Sequence, residues 1–312
     1  MSNFRQKLIG IAILLVSIAG LIYYILRNLS DFQRLSIKEP VYILPLVIIL
    51  ILDYFVIGLI TKGLIQPLGF RLGILEAFAL SFMTGFYNMI LPFSGGVATR
   101  AVYLKTQHNF SYTNFLALLS ASYILIFFIS SFFGLVSLFV TYTSLGLASG
   151  SMFLAFAGMF VALLIVILFS PKIPETKNNW INKFIGVINS WGLIKKNKGL
   201  ILVISFLSLC QLILETMCLY LQFKVFGLEV SFIKCLLLST VGMLALLIQI
   251  TPAGLGVNEA LMVFSAQAIA ITPADSLAAA LLGRLVVFIL LAILGPLSSY
   301  LLVRKVFPGR SS

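Results

Sequence analysis

Between Leu8 and Leu302 the chain is built from apolar blocks of roughly 20 residues separated by short polar connections. An α-helix rises about 1.5 Å per residue, so blocks of that length match helices cut to a ~30 Å hydrocarbon core. The blocks fall at 8–26, 41–60, 74–92, 114–140, 152–170, 200–222, 232–250 and 277–303. Of the 312 residues, 61% are hydrophobic and only 10% charged, against about 25% charged in soluble domains. So few charges cannot cover so much apolar surface in water. The expected fold class is all-α: a polytopic membrane protein of about eight transmembrane helices. The polar connections are too short for a soluble domain, so one integral membrane domain over 1–312 is expected.

The net charge of +12 comes from 21 Lys and Arg against 9 Asp and Glu. Most of the basic residues sit in connections, where they anchor loops on the cytoplasmic side and meet anionic lipid. Nucleic acid is therefore not an expected partner. Cys210, Cys218 and Cys235 lie in or beside apolar runs, an odd number placed against a disulfide framework. His108 is the sole histidine, which leaves little for a His-based metal site or a Ser-His-Asp triad. No metal, cofactor or catalytic residue is expected. The first run, Leu8–Leu26, follows Arg5 and Lys7 and ends in Tyr23-Tyr24, and reads as a retained signal anchor. In the connection 171–199, Ile181, Phe184, Ile185, Ile188 and Trp191 recur at helical spacing among six lysines. That pattern predicts an amphipathic interfacial helix with Trp180 and Trp191 on one face.

Two segments interrupt the apolar pattern in similar ways. One is Leu91-Pro92-Phe93-Ser94-Gly95-Gly96-Val97-Ala98-Thr99-Arg100-Ala101; the other is Thr251-Pro252-Ala253-Gly254-Leu255-Gly256-Val257-Asn258-Glu259-Ala260. Each holds a proline and two glycines, then Gly-Val, then a charge followed by Ala. Gly96 and Gly256 are 160 residues apart, about half the chain. Matched Gly/Pro interruptions in two halves point to an inverted repeat with broken or re-entrant helices around a midplane site. The expected halves are 1–170 and 200–312, joined by the amphipathic segment 171–199. Gly295-Pro296 is expected to kink the last helix. Charge placement agrees with the breaks. Eight simple crossings from an inside N-terminus would put the lysine-rich connection outside, against the Lys/Arg bias, whereas a change of parity at each break returns it to the inside.

Asp53, Glu215 and Arg284 stand within apolar runs. Each costs about 2.5–3.5 kcal/mol at mid-bilayer, so each needs protein, water or a partner; Arg284 with Glu215 or Glu259 is one such pair. Helices that start after Gly96 or Gly256 present free amide groups, and Gly95, Gly96, Gly254 and Gly256 let a phosphate or carboxylate approach the backbone. Glu259 is placed either to cap its own helix or to serve such a site. Arg100 lies near a helix start, where the dipole disfavours a cation, and is better suited to contact an anionic group.

The run Pro252 to Ala260, followed by Arg284, resembles the C-terminal signature of the lysylphosphatidylglycerol synthase transmembrane (flippase) family. The segment from Pro92 to Arg100 is similar to that family's first signature, with Val97 where many members carry Glu. The resemblance covers nearly the whole chain. It implies a stand-alone lipid translocase of the cell (cytoplasmic) membrane. With the chain ending at Ser312, the aminoacyltransferase domain of the full synthases, and enzyme activity with it, is not expected. On this reading Arg100 and Arg284 attract the headgroup of an anionic or aminoacylated phospholipid, or of a polyprenyl-phosphate lipid. The glycines and Asn258 let the headgroup approach. Glu259, Glu215 and Asp53 balance these cations, bind a cationic headgroup or carry a coupling proton. Two alternatives stay open: a membrane scaffold partnering a lipid-modifying synthase, and an intramembrane enzyme acting on polyprenyl-phosphate-linked substrates. A homo-oligomer is also left open.

Overall fold

The computed structural model describes residues 36–306 except 92–93, 147–148, 170–171, 175, 177–178 and 249–250. The run predicted at Leu8–Leu26 and the basic residues Arg5, Lys7 and Arg310 lie outside the described residues. Those described form helices and no strand, as the apolar blocks require. In chain order the helices are α1 (Ile43–Ile65), α2 (Ile74–Ile90), α3 (Gly95–His108), α4 (Tyr112–Leu145), α5 (Gly150–Phe169), α6 (Asn179–Ile194), α7 (Lys198–Val225), α8 (Phe232–Ala245), α9 (Val257–Gln267) and α10 (Pro273–Val306).

Local chemistry sets many of these boundaries. Ser111 caps α4 by accepting from the Asn114 amide (3.2 Å), and Gly146 ends it at φ 65°. Asn197 caps α7 by accepting from the Leu200 amide (3.0 Å). Pro273 opens α10, and the helix runs on through Pro296 to Val306.

Among the described residues, α1, α4, α5, α7 and α10 belong to spans long and apolar enough to cross a membrane. The blocks at 74–92 and 232–250 yield helices of only 17 and 14 residues. At about 1.5 Å per residue these fall short of the ~30 Å core. The interruptions end them: Leu91 is extended after α2, and a 3-10 turn at Leu246–Ile248 follows α8. Each is followed by a further short helix, α3 or α9, that packs back against it.

The order α1-α2-α3-α4, with lengths of 23, 17, 14 and 34 residues, is matched by α7-α8-α9-α10 with 28, 14, 11 and 34. The two series interlock: α2 packs on α10, α8 packs on α4, and α1 packs along α7. α1 and α7 run antiparallel. A Cβ on Gly63 would lie 3.4 Å from Ile204, while Leu50 shares an apolar cluster with Cys218 and the Lys38 amide donates to the Val225 carbonyl.

The helix expected within 171–199 forms as α6, and its Ile185, Trp191 and Ile194 are buried. Its packing is on α4, and the Trp191 indole N–H donates to the Ile167 carbonyl of α5 (3.3 Å). Asn182 and Asn189 each exchange hydrogen bonds with the backbone of the preceding connection, at Thr176 and Ile173. The side chain of Trp180 lies outside the described residues. The three cysteines are free.

Candidate functional site

The first break is held by neutral groups around one cation. Ser94 adopts φ 55°, turning the chain so that α3 doubles back along α2. The Asn88 side chain, close to the end of α2, accepts from the Gly96 amide (2.8 Å) and so caps α3. Glycine is required here, because any Cβ on Gly96 would run into the Thr84 carbonyl oxygen. This close approach brings Arg100 of α3 between α2 and α1. Its Nε donates to Thr84 Oγ1 (3.0 Å) and its Nη1 to Thr61 Oγ1 (2.9 Å). Both hydroxyls already donate to carbonyls of their own helices, Leu80 and Ile57, so their lone pairs face the guanidinium. Arg100 is only 8% exposed and forms no ion pair among the described residues. Tyr123 of α4 stands within its electrostatic reach.

The second break is tied by charge. Ala253, Gly254 and Gly256 all have positive φ (48°, 67° and 83°), which lets the chain reverse between α8 and α9 over a few residues. Glu259 then does two things at once. Its Oε2 accepts from the Gly256 amide (2.7 Å), capping α9 from within, and its Oε1 accepts from Arg284 Nε (2.5 Å). Arg284 of α10 also reaches the Ala253 carbonyl through Nη2 (3.4 Å). The Asn258 amide approaches the same carbonyl at 3.5 Å and packs on Gly254, leaving its buried Oδ1 without a partner among the described residues. Of the two roles open to Glu259, helix capping is therefore realised, and the partner of Arg284 is Glu259, not Glu215.

Asp53 and Glu215 lie elsewhere, on α1 and α7. The antiparallel register sets them opposite each other, within electrostatic reach. The sequence-derived residues thus form three groups: Arg100 with Gly95 and Gly96; Glu259 and Arg284 with Gly254, Gly256 and Asn258; and the Asp53–Glu215 pair. No hydrogen bond or ion pair joins Arg100 to either of the others among the described residues.

Sequence reasoning missed Thr61, Thr84 and Asn88, whose importance depends on helix packing. It also missed a clasp at the ends of α2 and α3 away from the break. There Tyr103 Oη donates to Glu76 Oε1 (2.6 Å), and His108 Nε2 lies 2.7 Å from the same oxygen. The one signal for it was a lone histidine in a chain with few acids.

Broken helix pairs set against long helices, with charges inside the bundle, define a polytopic α-helical membrane protein with a polar interior. Residues 7–295 match the family described as lysylphosphatidylglycerol synthase TM region, and the chain belongs to that family. It is a multi-pass membrane protein of lipid metabolism or transport, and its associates are membrane lipids. No curated protein matches the chain.

Proposed function

We propose that this protein is a lipid translocase of the cell membrane, moving a phospholipid or another lipid with a polar, anionic headgroup through a polar site between the two broken helix pairs. The observation that carries this reading is Arg100: a buried guanidinium held by two threonine hydroxyls, with no carboxylate beside it among the described residues. A buried cation is costly unless paired, and a headgroup phosphate is the partner a lipid pathway brings. The glycine-lined turns at both breaks keep side chains out of its way, and the lipid tails stay in the bilayer. The matched helix orders and the antiparallel α1 and α7 support an inverted repeat, the architecture in which broken helices flank a midplane site.

The test is a headgroup-protection assay in proteoliposomes carrying fluorescent anionic, aminoacylated and polyprenyl-phosphate lipids, comparing wild type with Arg100→Gln. Loss of charge-assisted hydrogen bonds worth about 1.5–3 kcal/mol should slow movement roughly 10- to 100-fold while the protein stays inserted. Equal rates would remove Arg100 from the path. A scaffold function draws support from one observation, that Glu259 and Arg284 are spent on a cap and an ion pair. It requires that Arg100→Gln leave lipid movement and any partner synthase unaffected.

A further inference from the structure

Asp53 and Glu215 belong to neither break. Asp53 sits midway along α1 and is 5% exposed, and its Oδ1 has no hydrogen-bond partner among the described residues. Glu215 lies on the open side of α7 and makes no hydrogen bond or ion pair among those residues. Ionisable groups inside a membrane bundle are expensive and are retained where they carry ions or protons. Neither arginine inside the bundle serves them: Arg100 is engaged by Thr61 and Thr84, and the half-buried Arg284 by Glu259. The titratable groups facing the pair are Tyr54 beside Asp53 and Cys218 one turn from Glu215. α2, α4 and α10, also packed on α1, set no further charged group against Asp53 among the described residues.

The pair also occupies a special position in the repeat. The breaks are offset by 160 residues, Gly96 against Gly256, so position 54 corresponds to position 214. The antiparallel register, with Leu50 and Cys218 in one apolar cluster and Gly63 by Ile204, also brings position 54 opposite position 214. A residue that both corresponds to and faces its counterpart lies on the axis relating the two halves. Asp53 and Glu215 are each one residue from that point.

We infer that Asp53 and Glu215 form one proton-binding site on this axis, and that loading and unloading it couples a proton gradient to lipid movement. The inference rests on the translocation proposed above. A proton enters from one side onto a Glu215 carboxylate oxygen, passes to Asp53 Oδ1 and leaves to the other side as the halves exchange exposure. Each transfer moves one proton between carboxylates and changes no redox state. The open Glu215 supplies access, and the buried Asp53 supplies the position that water does not reach freely.

The experiment uses the full chain in proteoliposomes containing fluorescent phosphatidylglycerol, with a pH-sensitive dye inside and a pH step across the membrane. Infrared spectra of the same samples report the C=O stretch of protonated carboxyl groups. With one proton per lipid, a gradient of about one pH unit supports up to about a tenfold lipid asymmetry. The expected result is gradient-driven asymmetry in wild type, its loss in both Asp53→Asn and Glu215→Gln, and a protonated-carboxyl band in wild type that the two variants alter. Lipid movement indifferent to the gradient in wild type overturns the coupling while sparing translocation. So does a gradient response that survives in Glu215→Gln, or a spectrum without the band. No lipid movement by wild type, for any lipid tried, overturns the translocation reading and the coupling with it.

Discussion

The two breaks begin from nearly the same sequence pattern and reach opposite electrostatic ends. At the first, a neutral amide from Asn88 caps α3 and a cation is left among hydroxyls. At the second, the cap is itself the carboxylate Glu259, which then neutralises Arg284. The lesson is that a Gly-Val turn followed by a charge fixes a broken helix but not its electrostatic balance. The balance depends on whether the charged residue caps its own helix or reaches a neighbouring one. The first break leaves its cation without a carboxylate among the described residues, whereas the second pairs its cation with its own cap.

Substitutions can break this contrast, and the largest effect belongs to the second break. Glu259→Ala should remove the cap and strand Arg284, a loss of about 3–5 kcal/mol typical of breaking a buried pair. Thermal unfolding in detergent checks it, and Glu259→Gln combined with Arg284→Gln should recover part of the loss. Full stability in Glu259→Ala would mean that the second break is not charge-tied. Next comes Gly96→Ala, where a Cβ driven into the Thr84 carbonyl should cost about 1–3 kcal/mol and displace Arg100. Its signature is a fall in both melting temperature and lipid movement, since the clash lies at the cation. The smallest effect is Asn88→Ala, losing one helix cap at about 1 kcal/mol, with lipid movement largely preserved. A loss as large as that of Glu259→Ala would erase the asymmetry between the breaks.

Much of the architecture is legible in the order of the amino acids. Apolar blocks cut to bilayer thickness set the helix class, and the paired Gly/Pro interruptions mark the places where α2 and α8 stop short. These are local signals, carried by consecutive residues. Which helix answers which charge is less legible. Thr61 and Thr84 look like any hydroxyls in apolar helices until Gly96 allows α3 to close on α2. Arg284 has two candidate carboxylates in the sequence, and only the turn at Ala253–Gly256 brings Glu259 to it. The opposition of Asp53 and Glu215 needs the antiparallel register of α1 and α7, a relation between residues 162 apart in number that no spacing rule encodes. His108 illustrates the same limit: its rarity is visible, but its partner Glu76 lies 32 residues away.

The crossed packing of the two series has a mechanical consequence. Because α2 leans on the long helix of the second series and α8 on that of the first, the halves are clasped like the fingers of two hands. Neither can swing away as a block without carrying the other's short helices along. Gly295 against Phe86 tightens this clasp, with Pro296 beside it removing one rung of the α10 hydrogen-bond ladder. In the translocation proposed above, the strain of opening a path would fall on that weakened rung and on the two turns, with the clasped helices as levers.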